Sequence, residues 1–257
     1  MDIKLINKQD NKLIFLIKGT DPVFVNTLRR IMISEVPTLA IKKVTFTKNT
    51  SAVYDEFIAH RLGLLPLTTD LKSYELQESC SCKGNGCAKC QVSATLKAEG
   101  PITVYASDLK FQDPKVKSVY DKIPIIKLLK GQELEFEAVA GLGKAKDHAK
   151  FSPCLAFYRG VPEFDITKKT KLKDCIKACN DLLREKGTSL EVTDYTKWNE
   201  SYEQTCEEHE IKVTNSEKDF IVTIESWGKL NPEEIFLTSL DVLDQKMDEF
   251  YTQLSKA

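Results

Sequence analysis

A short stretch near the start of the chain, residues 21–37, constrains the fold more than any other. Asp21 is a favourable N-cap, and Pro22 stands at the first helical position, where its missing N–H costs nothing. Pro37 disfavours helix at the residue before it. The stretch therefore predicts a helix that starts at residue 22 and ends before residue 37.

The predicted helix has an apolar side and two adjacent arginines on its flank. Phe24, Leu28 and Ile31 recur at helical spacing, whereas Arg29 and Arg30 lie beside them. A core helix packed on a sheet is the ordinary interpretation. Arginine is also favoured at protein interfaces because its planar fork pairs with carboxylates, so a partner-binding helix is the alternative.

A strand is expected directly after this helix, over residues 39–46. Its apolar alternation slips between Ile41 and Val44, which indicates an irregularity in the strand.

Composition limits the classes of function. The chain has 257 residues with 37 basic and 38 acidic side chains, so its formal net charge is −1. This balance argues against a chain that grips nucleic acid by itself. No window approaches the roughly 18 apolar residues that cross a bilayer, and no signal-like start is present. We expect a globular, cytoplasmic protein without membrane contact.

Four of the eight cysteines are crowded into one short loop. Cys80 and Cys82 form a C-x-C, Cys87 and Cys90 form a C-x-x-C, and two glycines between them permit a tight reversal. Four thiolates without a nearby histidine indicate a closed, structural zinc site. An iron–sulfur cluster and unmetallated thiols are the alternatives.

The other cysteines are Cys154, Cys175, Cys179 and Cys206. They lack the close spacing of a cluster motif, so buried thiols are the ordinary interpretation and an iron–sulfur cluster is the less favoured one.

A long amphipathic helix is predicted at the end of the chain. Asn231 and Pro232 supply a helix start, and two glutamates follow. Apolar residues then step by four and three alternately, which is the spacing of a helix packed along another helix. Docking on the chain's own sheet is the alternative to a partner helix. The stripe consists of Phe236, Leu240, Leu243, Met247, Phe250 and Leu254.

The middle of the chain has a different character from its ends. We predict a short helix that is capped near Asp55 and stops at Gly63, then several strands, a helix over 168–186, and a hairpin with strands at 211–213 and 220–224. Both ends combine sheet with one amphipathic helix. The prediction is an α+β fold with a discontinuous domain, 1–48 and 209–257. A mostly β domain, 49–208, is inserted into it, and its segment 163–208 is partly helical and poorly assigned.

Four segments together resemble the RNA polymerase α-like family, which includes the D-type subunit of the archaeal enzyme and the third subunit of polymerase II. The resemblance implies a non-catalytic platform whose dimerisation domain is built from both ends of the chain. It also implies the small L-type subunit as partner, a contact with the second-largest subunit, N- and P-type subunits as further partners, and DNA contacted only through the complex. The segments are 24–41, 55–67, 130–134 and 148–153.

The resemblance assigns roles to individual residues. The apolar side of the first helix, Phe24, Leu28 and Ile31, and the C-terminal stripe would bury against the L-type subunit. The arginines Arg29 and Arg30 would face the second-largest subunit. The polymerase II relative has a similar four-cysteine zinc loop, whereas some archaeal members hold an iron–sulfur cluster farther on. The second helix would also face the second-largest subunit, through Glu56, His60 and Arg61.

Two other classes of function compete with a scaffold. An enzyme is disfavoured because the three histidines are scattered and the nucleophile-elbow, zinc-protease and phosphate-loop motifs are absent from the sequence. We therefore predict no catalytic residues. A stand-alone zinc-loop module that binds nucleic acid would have to rely on Lys144, Lys146 and Lys150, the one local basic cluster.

Overall fold

The computed structural model describes residues 1–166, 172–187 and 189–256. They form a mixed α+β structure with antiparallel sheets, which confirms the predicted fold class. The helices are α1 Pro22–Ser34, α2 Asp55–Gly63, α3 Leu172–Ala178, α4 Glu200–Glu208 and α5 Pro232–Leu254. The strands are β1 Asp2–Gln9, β2 Lys12–Lys18, β3 Thr38–Asn49, β4 Gln91–Glu99, β5 Ile102–Tyr105, β6 Lys110–Phe111, β7 Pro124–Leu128, β8 Glu133–Gly143, β9 Cys154–Ile166, β10 Leu183–Lys186, β11 Ser189–Val192 and β12 Ile211–Ser226.

The chain divides into two compact units, and each is built from two separate stretches. Unit 1 comprises Met1–Arg29 and Ala156–Glu225, and unit 2 comprises Arg30–Leu155 and Ser226–Ala257. The predicted boundaries of the dimerisation and inserted domains do not coincide with these units. They stay a prediction about which part of the chain meets a partner.

Unit 1 is organised on a four-stranded sheet with the order β1-β2-β12-β9. β1 and β2 form a hairpin in which Leu5 lies opposite Phe15. β2 is central, and its residues from Leu13 to Ile17 are all buried. The hairpin predicted at 211–213 and 220–224 is wrong, because β12 continues from Ile211 to Ser226 without a turn.

The polar residues 215–219 remain in β12 because neighbouring segments use their hydrogen-bonding groups. The Thr20 N–H donates to the Lys218 carbonyl at 3.0 Å, and the Gly19 N–H donates to Asp219 Oδ1 at 3.0 Å. Gly160 allows a close approach to the same strand, since a Cβ there would lie 2.5 Å from the Ser216 carbonyl oxygen. A polar run that looks like a turn is therefore held extended.

The predicted start of α1 is confirmed. The Phe24 N–H donates to Asp21 Oδ1 at 2.8 Å, which is the hydrogen bond of an N-cap. Leu28 is 2% exposed and Ile31 is 5% exposed, so the inward side of the helix is packed within the chain itself. α1 ends at Ser34, before Pro37.

Unit 2 is organised on a sheet with the order β3-β8-β4-β6. The pairing of β3 with β8 shifts register between Ile41 and Lys43, which confirms the irregularity expected from the alternation. Alternate residues of β8 from Leu134 to Leu142 are buried, and they share a core with Ile58 and Leu62 of α2. The sheet therefore carries α2 on its apolar side.

One helix prediction is confirmed and another needs correction. α2 spans Asp55–Gly63 as predicted, its N-cap residue Tyr54 makes no side-chain capping hydrogen bond, and Asp55 Oδ1 accepts a hydrogen bond from Asn49 Nδ2 at 2.7 Å. The helix predicted over 168–186 begins in residues that lie outside the described ranges, and its second half is wrong. α3 ends at Ala178, Asn180 and Asp181 take positive φ angles of 52° and 56°, and β10 follows.

α5 begins at Pro232 as predicted, although the Asn231 side chain makes no capping hydrogen bond. Its inward side consists of Ile235, Ser239 and Val242. The predicted stripe lies one residue away from these positions. Because Ser239 is polar, the sequence does not indicate that this side of α5 faces inward. In the structure the Ser239 hydroxyl donates a hydrogen bond to the Phe236 carbonyl, so it can be buried.

Glu35, directly after α1, forms ion pairs with three lysines. Its carboxylate lies 2.7 Å from Lys246 Nζ of α5, 3.5 Å from Lys144 Nζ and 3.6 Å from Lys146 Nζ. The Glu35 side chain is 13% exposed. Burial alone would raise the pKa of Glu35, but the hydrogen bond and charge of Lys246 and the charges of the other two lysines outweigh it and lower the pKa.

We predict that Glu35→Gln destabilises the chain by about 1–2 kcal/mol at pH 7, because a charged hydrogen bond is lost. The folded pKa lies below the usual value of about 4.5, so the stabilisation is present above that value and disappears as the pH falls through the lowered pKa. Urea unfolding at neutral and acidic pH measures both effects.

The matched control is Glu135→Gln, which removes a surface pair with Lys97 at 2.9 Å. It should cost less than about 0.5 kcal/mol. A Glu35→Gln loss no larger than that of the control, or one that persists in acid, would refute the role of Glu35.

Candidate functional site

The cysteine loop, residues 80–90, leads directly into β4. Cys90 immediately precedes the strand, and Gln91 pairs with Gly141 of β8. Cys80 and Cys90 are buried, whereas Cys82 and Cys87 are partly exposed. The loop is thus attached to the sheet of unit 2 at one end only.

The four thiols of the cysteine loop converge. The Sγ–Sγ distances are 3.6 Å for Cys80–Cys87, 3.6 Å for Cys82–Cys90 and 3.9 Å for Cys87–Cys90, and all four sulfur atoms lie within 4.8 Å of one another. A tetrahedral Zn–S₄ site with bonds of about 2.3 Å requires sulfur atoms about 3.8 Å apart. The loop therefore has the ligand set and the spacing of a structural zinc site.

Backbone conformation brings the thiols together. Gly84 and Gly86 each have φ of 84°, and Lys83 has φ of 52°, so the chain reverses between the two cysteine pairs. The Cys87 N–H donates to Cys90 Sγ at 3.3 Å. Gln77 Nε2 holds the turn by donating to the Gly84 carbonyl at 2.8 Å. These contacts fix the geometry with few apolar residues.

The thiols of the cysteine loop differ in pKa. Burial raises the pKa of Cys90 to about 12. Burial acts in the same direction on Cys82, but hydrogen bonds from the Cys80 thiol and the Gly86 N–H outweigh it and lower the Cys82 pKa to about 7. The Cys82 thiol therefore ionises more readily than the Cys90 thiol.

A second cysteine group lies in unit 1, where α3 supplies Cys175, the residue directly after α3 is Cys179, and α4 supplies Cys206. All three are fully buried, with Sγ–Sγ distances of 3.4 Å for Cys175–Cys206 and 3.8 Å for Cys179–Cys206. The sequence predicts buried thiols here, and the structure buries them. It also groups them, which the sequence does not indicate. Three ligands could hold a metal ion, but among the described residues no fourth joins them.

Cys154 stands apart from both groups. It is buried, its pKa is raised to about 12 by burial, and its thiol lies 3.9 Å from the Met32 carbonyl. It is the natural control for thiol chemistry elsewhere in the chain.

The predicted partner-binding residues of α1 are only partly accessible. Leu28 and Ile31 are enclosed within their own chain, so they cannot present side chains to a partner. Phe24 is partly exposed and Arg30 is exposed. Arg29 donates two hydrogen bonds to Asn26 Oδ1, at 3.1 and 2.9 Å, which orients its guanidinium group.

The last turns of α5 carry an apolar ridge. It consists of Met247, Phe250, Tyr251 and Leu254, which are 58%, 61%, 71% and 64% exposed. Nothing in the described chain covers these side chains. Three members come from the predicted stripe, whereas Tyr251 was missed because it lies one residue off the heptad spacing. The remaining stripe residues, Phe236, Leu240 and Leu243, are partly buried.

α2 presents a mixed polar and aromatic surface. Its predicted residues Glu56, His60 and Arg61 are exposed, and Arg61 donates to the Pro124 carbonyl at 2.8 Å. Phe57 is 64% exposed and Leu64 is 53% exposed, and sequence reasoning missed both. The sequence does offer a signal for Phe57. Ile58 and Leu62 form the inward side of α2, and Phe57, directly before Ile58, therefore lies off that side.

Among the described helices none is both long and apolar enough to span a membrane.

Comparisons with known proteins point to one family. A sequence model described as the RNA polymerase Rpb3/RpoA insert domain matches residues 41–153. Three archaeal proteins, each called DNA-directed RNA polymerase subunit Rpo3, are similar over nearly their whole length. That of Methanosphaera stadtmanae is 38% identical over 96% of both chains. That of Archaeoglobus fulgidus is 37% identical over 96% of both. That of Pyrococcus furiosus is 37% identical over 100% of this chain and 98% of the relative.

We predict that Cys87→Ser removes one metal ion per chain, because three thiolates and a hydroxyl hold zinc poorly. Cys154→Ser, which changes a thiol outside both groups, should leave the metal content unchanged. Elemental analysis of the purified chain measures zinc and iron together. A metal content that Cys87→Ser leaves intact, or a brown protein with visible absorption that Cys87→Ser abolishes, would contradict a zinc site in the cysteine loop.

Proposed function

The chain belongs to the Rpo3 family of archaeal DNA-directed RNA polymerase subunits, and on that premise we propose that it is the non-catalytic assembly platform of the enzyme. In this role it pairs with the small L-type subunit and docks the second-largest subunit. It acts in DNA-templated transcription in the cytoplasm and contacts DNA only through the complex. N- and P-type subunits are further partners.

The observation that carries the proposal is the apolar ridge of α5. Fully burying a large apolar side chain contributes roughly 1.5–3 kcal/mol, so burying the exposed six-tenths or so of Met247, Phe250, Tyr251 and Leu254 contributes roughly 4–8 kcal/mol in total. That sum is comparable with the 4–15 kcal/mol or more that association costs, and the partly buried stripe residues add to it. An exposed apolar patch of this kind marks an interaction site. A helix of the L-type subunit is the partner we propose.

The second docking surface combines α1 and α2. Arg30 on α1 and Glu56, His60 and Arg61 on α2 are exposed and charged or polar, and Phe57 adds an aromatic side chain. Arginine and aromatic residues are enriched at interfaces, whereas a solvated helix face rarely exposes a phenylalanine. We propose that these residues face the second-largest subunit.

The cysteine loop has a structural part in this proposal. Zinc bound by Cys80, Cys82, Cys87 and Cys90 would hold together a loop that has few apolar residues of its own, and it would fix the entry to β4. An iron–sulfur cluster is the second candidate, for this loop or for the group of Cys175, Cys179 and Cys206. The missing fourth ligand disfavours a four-thiolate cluster at the latter.

A stand-alone nucleic-acid-binding module is not favoured. The net charge of −1 supplies no electrostatic attraction to phosphates, and Lys144 and Lys146 are already engaged by Glu35.

We predict that Phe250→Glu weakens binding to a co-expressed L-type subunit at least roughly tenfold, because it places a charge in the centre of the buried ridge. The matched control is Gln253→Glu, which adds the same charge at an exposed position of the same helix. Co-purification and titration calorimetry measure the difference, and circular dichroism shows whether each variant is folded. Equal affinity of the folded Phe250→Glu and Gln253→Glu variants would refute the role of the ridge.

A further inference from the structure

Lys42 of β3 lies between two adjoining depressions on unit 2, and both are lined by basic residues. The first has a volume of about 360 Å³, and Lys42 shares it with Lys144 and Lys146. The second, about 120 Å³, is lined by Lys42 together with Lys150, His60 and His148. We call the two together the basic groove. Its basic side chains are Lys42, His60, Lys144, Lys146, His148 and Lys150.

The positive charge of the basic groove is incompletely balanced. Lys144 and Lys146 share the single carboxylate of Glu35 with a third lysine. Within the part of the chain that the structure describes, Lys42 and Lys150 have no carboxylate partner. Their ammonium groups lie 5.7 and 5.3 Å from the centre of the Phe151 ring.

Hydrogen bonds fix the position of Lys150. Its Nζ donates to the Ile41 carbonyl at 2.9 Å, and its N–H donates to His148 Nδ1 at 3.0 Å. His148 therefore carries its hydrogen on Nε2 when neutral and can donate from there. Two lysines with spare N–H groups and a histidine donor suit a ligand that carries several carboxylates.

The walls of the basic groove are partly apolar. Leu76 and Leu142 line the first depression, and Ile41, Val44 and Leu64 line the second. Nucleic-acid phosphates would gain nothing from such walls. Glu78 and Asp147 line the first depression, whereas no acidic residue lines the second, so the carboxylates of a ligand belong at the second depression, beside Lys42 and Lys150. A polypeptide that combines acidic and apolar side chains matches both features.

We propose that the basic groove binds an acidic segment, with at least one apolar side chain, of the subunit that docks on α2. This rests on the proposed function, because only the assembled polymerase supplies that subunit. His60 and Leu64 belong both to α2 or its exit and to the wall of the groove, so the two surfaces are continuous. The segment would enter the basic groove beside α2 and place its carboxylates at Lys42 and Lys150.

Zero-length crosslinking of the assembled polymerase tests this directly. A water-soluble carbodiimide activates a carboxylate, and a lysine amine in contact with it then forms an amide as the carbodiimide leaves as a urea. We expect amide links from Lys42 or Lys150 to Asp or Glu of the second-largest subunit, located by mass spectrometry. Links from these lysines only to a different subunit would refute the proposed occupant. The exposed Lys97–Glu135 pair, 2.9 Å apart, is the internal positive control.

A charge reversal provides the second measurement. Lys42→Glu should raise the fraction of this subunit released from the assembled polymerase at elevated salt by at least roughly tenfold. Lys43→Glu is the matched control, because it makes the same change at the next exposed residue of β3 and does not line the basic groove.

The two proposals can fail separately. If the Lys97–Glu135 link forms and no link leaves the basic groove, or if Lys42→Glu behaves like Lys43→Glu, the groove proposal is refuted. Ultraviolet crosslinks from the basic groove to template or transcript would refute it in favour of nucleic acid. In each case the proposed function would still be supported if Phe250→Glu weakens binding to the L-type subunit as predicted.

Discussion

The C-terminal helix buries only part of its apolar surface within the part of the chain that the structure describes. Ile235, Ser239 and Val242 pack inward, and the next turn is held by the ion pair between Lys246 and Glu35. The apolar ridge begins at the following residue, Met247. The inward contacts and the ion pair therefore fix the first half of α5, whereas the apolar side chains of its second half are exposed.

The cysteine loop, in the same unit, has too few apolar residues to be stabilised by a core of its own. A loop with exposed glycines and lysines cannot form an apolar core, yet it must deliver Cys90 and Gln91 to the edge of β8 in one register. Convergent thiols at tetrahedral spacing allow a metal ion to supply the missing stability. The basic groove borders this loop at Gly84, so ordering of the loop and occupation of the groove would be expected to affect each other.

Local signals in the sequence predicted the parts of the fold that depend on local chemistry. Asp21 and Pro22 located the start of α1, the slip after Ile41 located the irregularity of β3, and the spacing of the four loop cysteines predicted their convergence. Failures arose where a distant segment decides the outcome. Residues 215–219 look like a turn but are held extended by Gly19 and Thr20, and the grouping of Cys206 with Cys175 depends on a neighbouring helix that periodicity does not reveal.

Sedimentation velocity of the full chain, alone and with an L-type subunit, tests the central claim most directly. An uncovered ridge predicts that the chain alone self-associates as its concentration rises, and that the partner converts it to a single heterodimer with one copy of each chain. A chain that stays monomeric at every concentration and sediments independently of the L-type subunit would contradict the account.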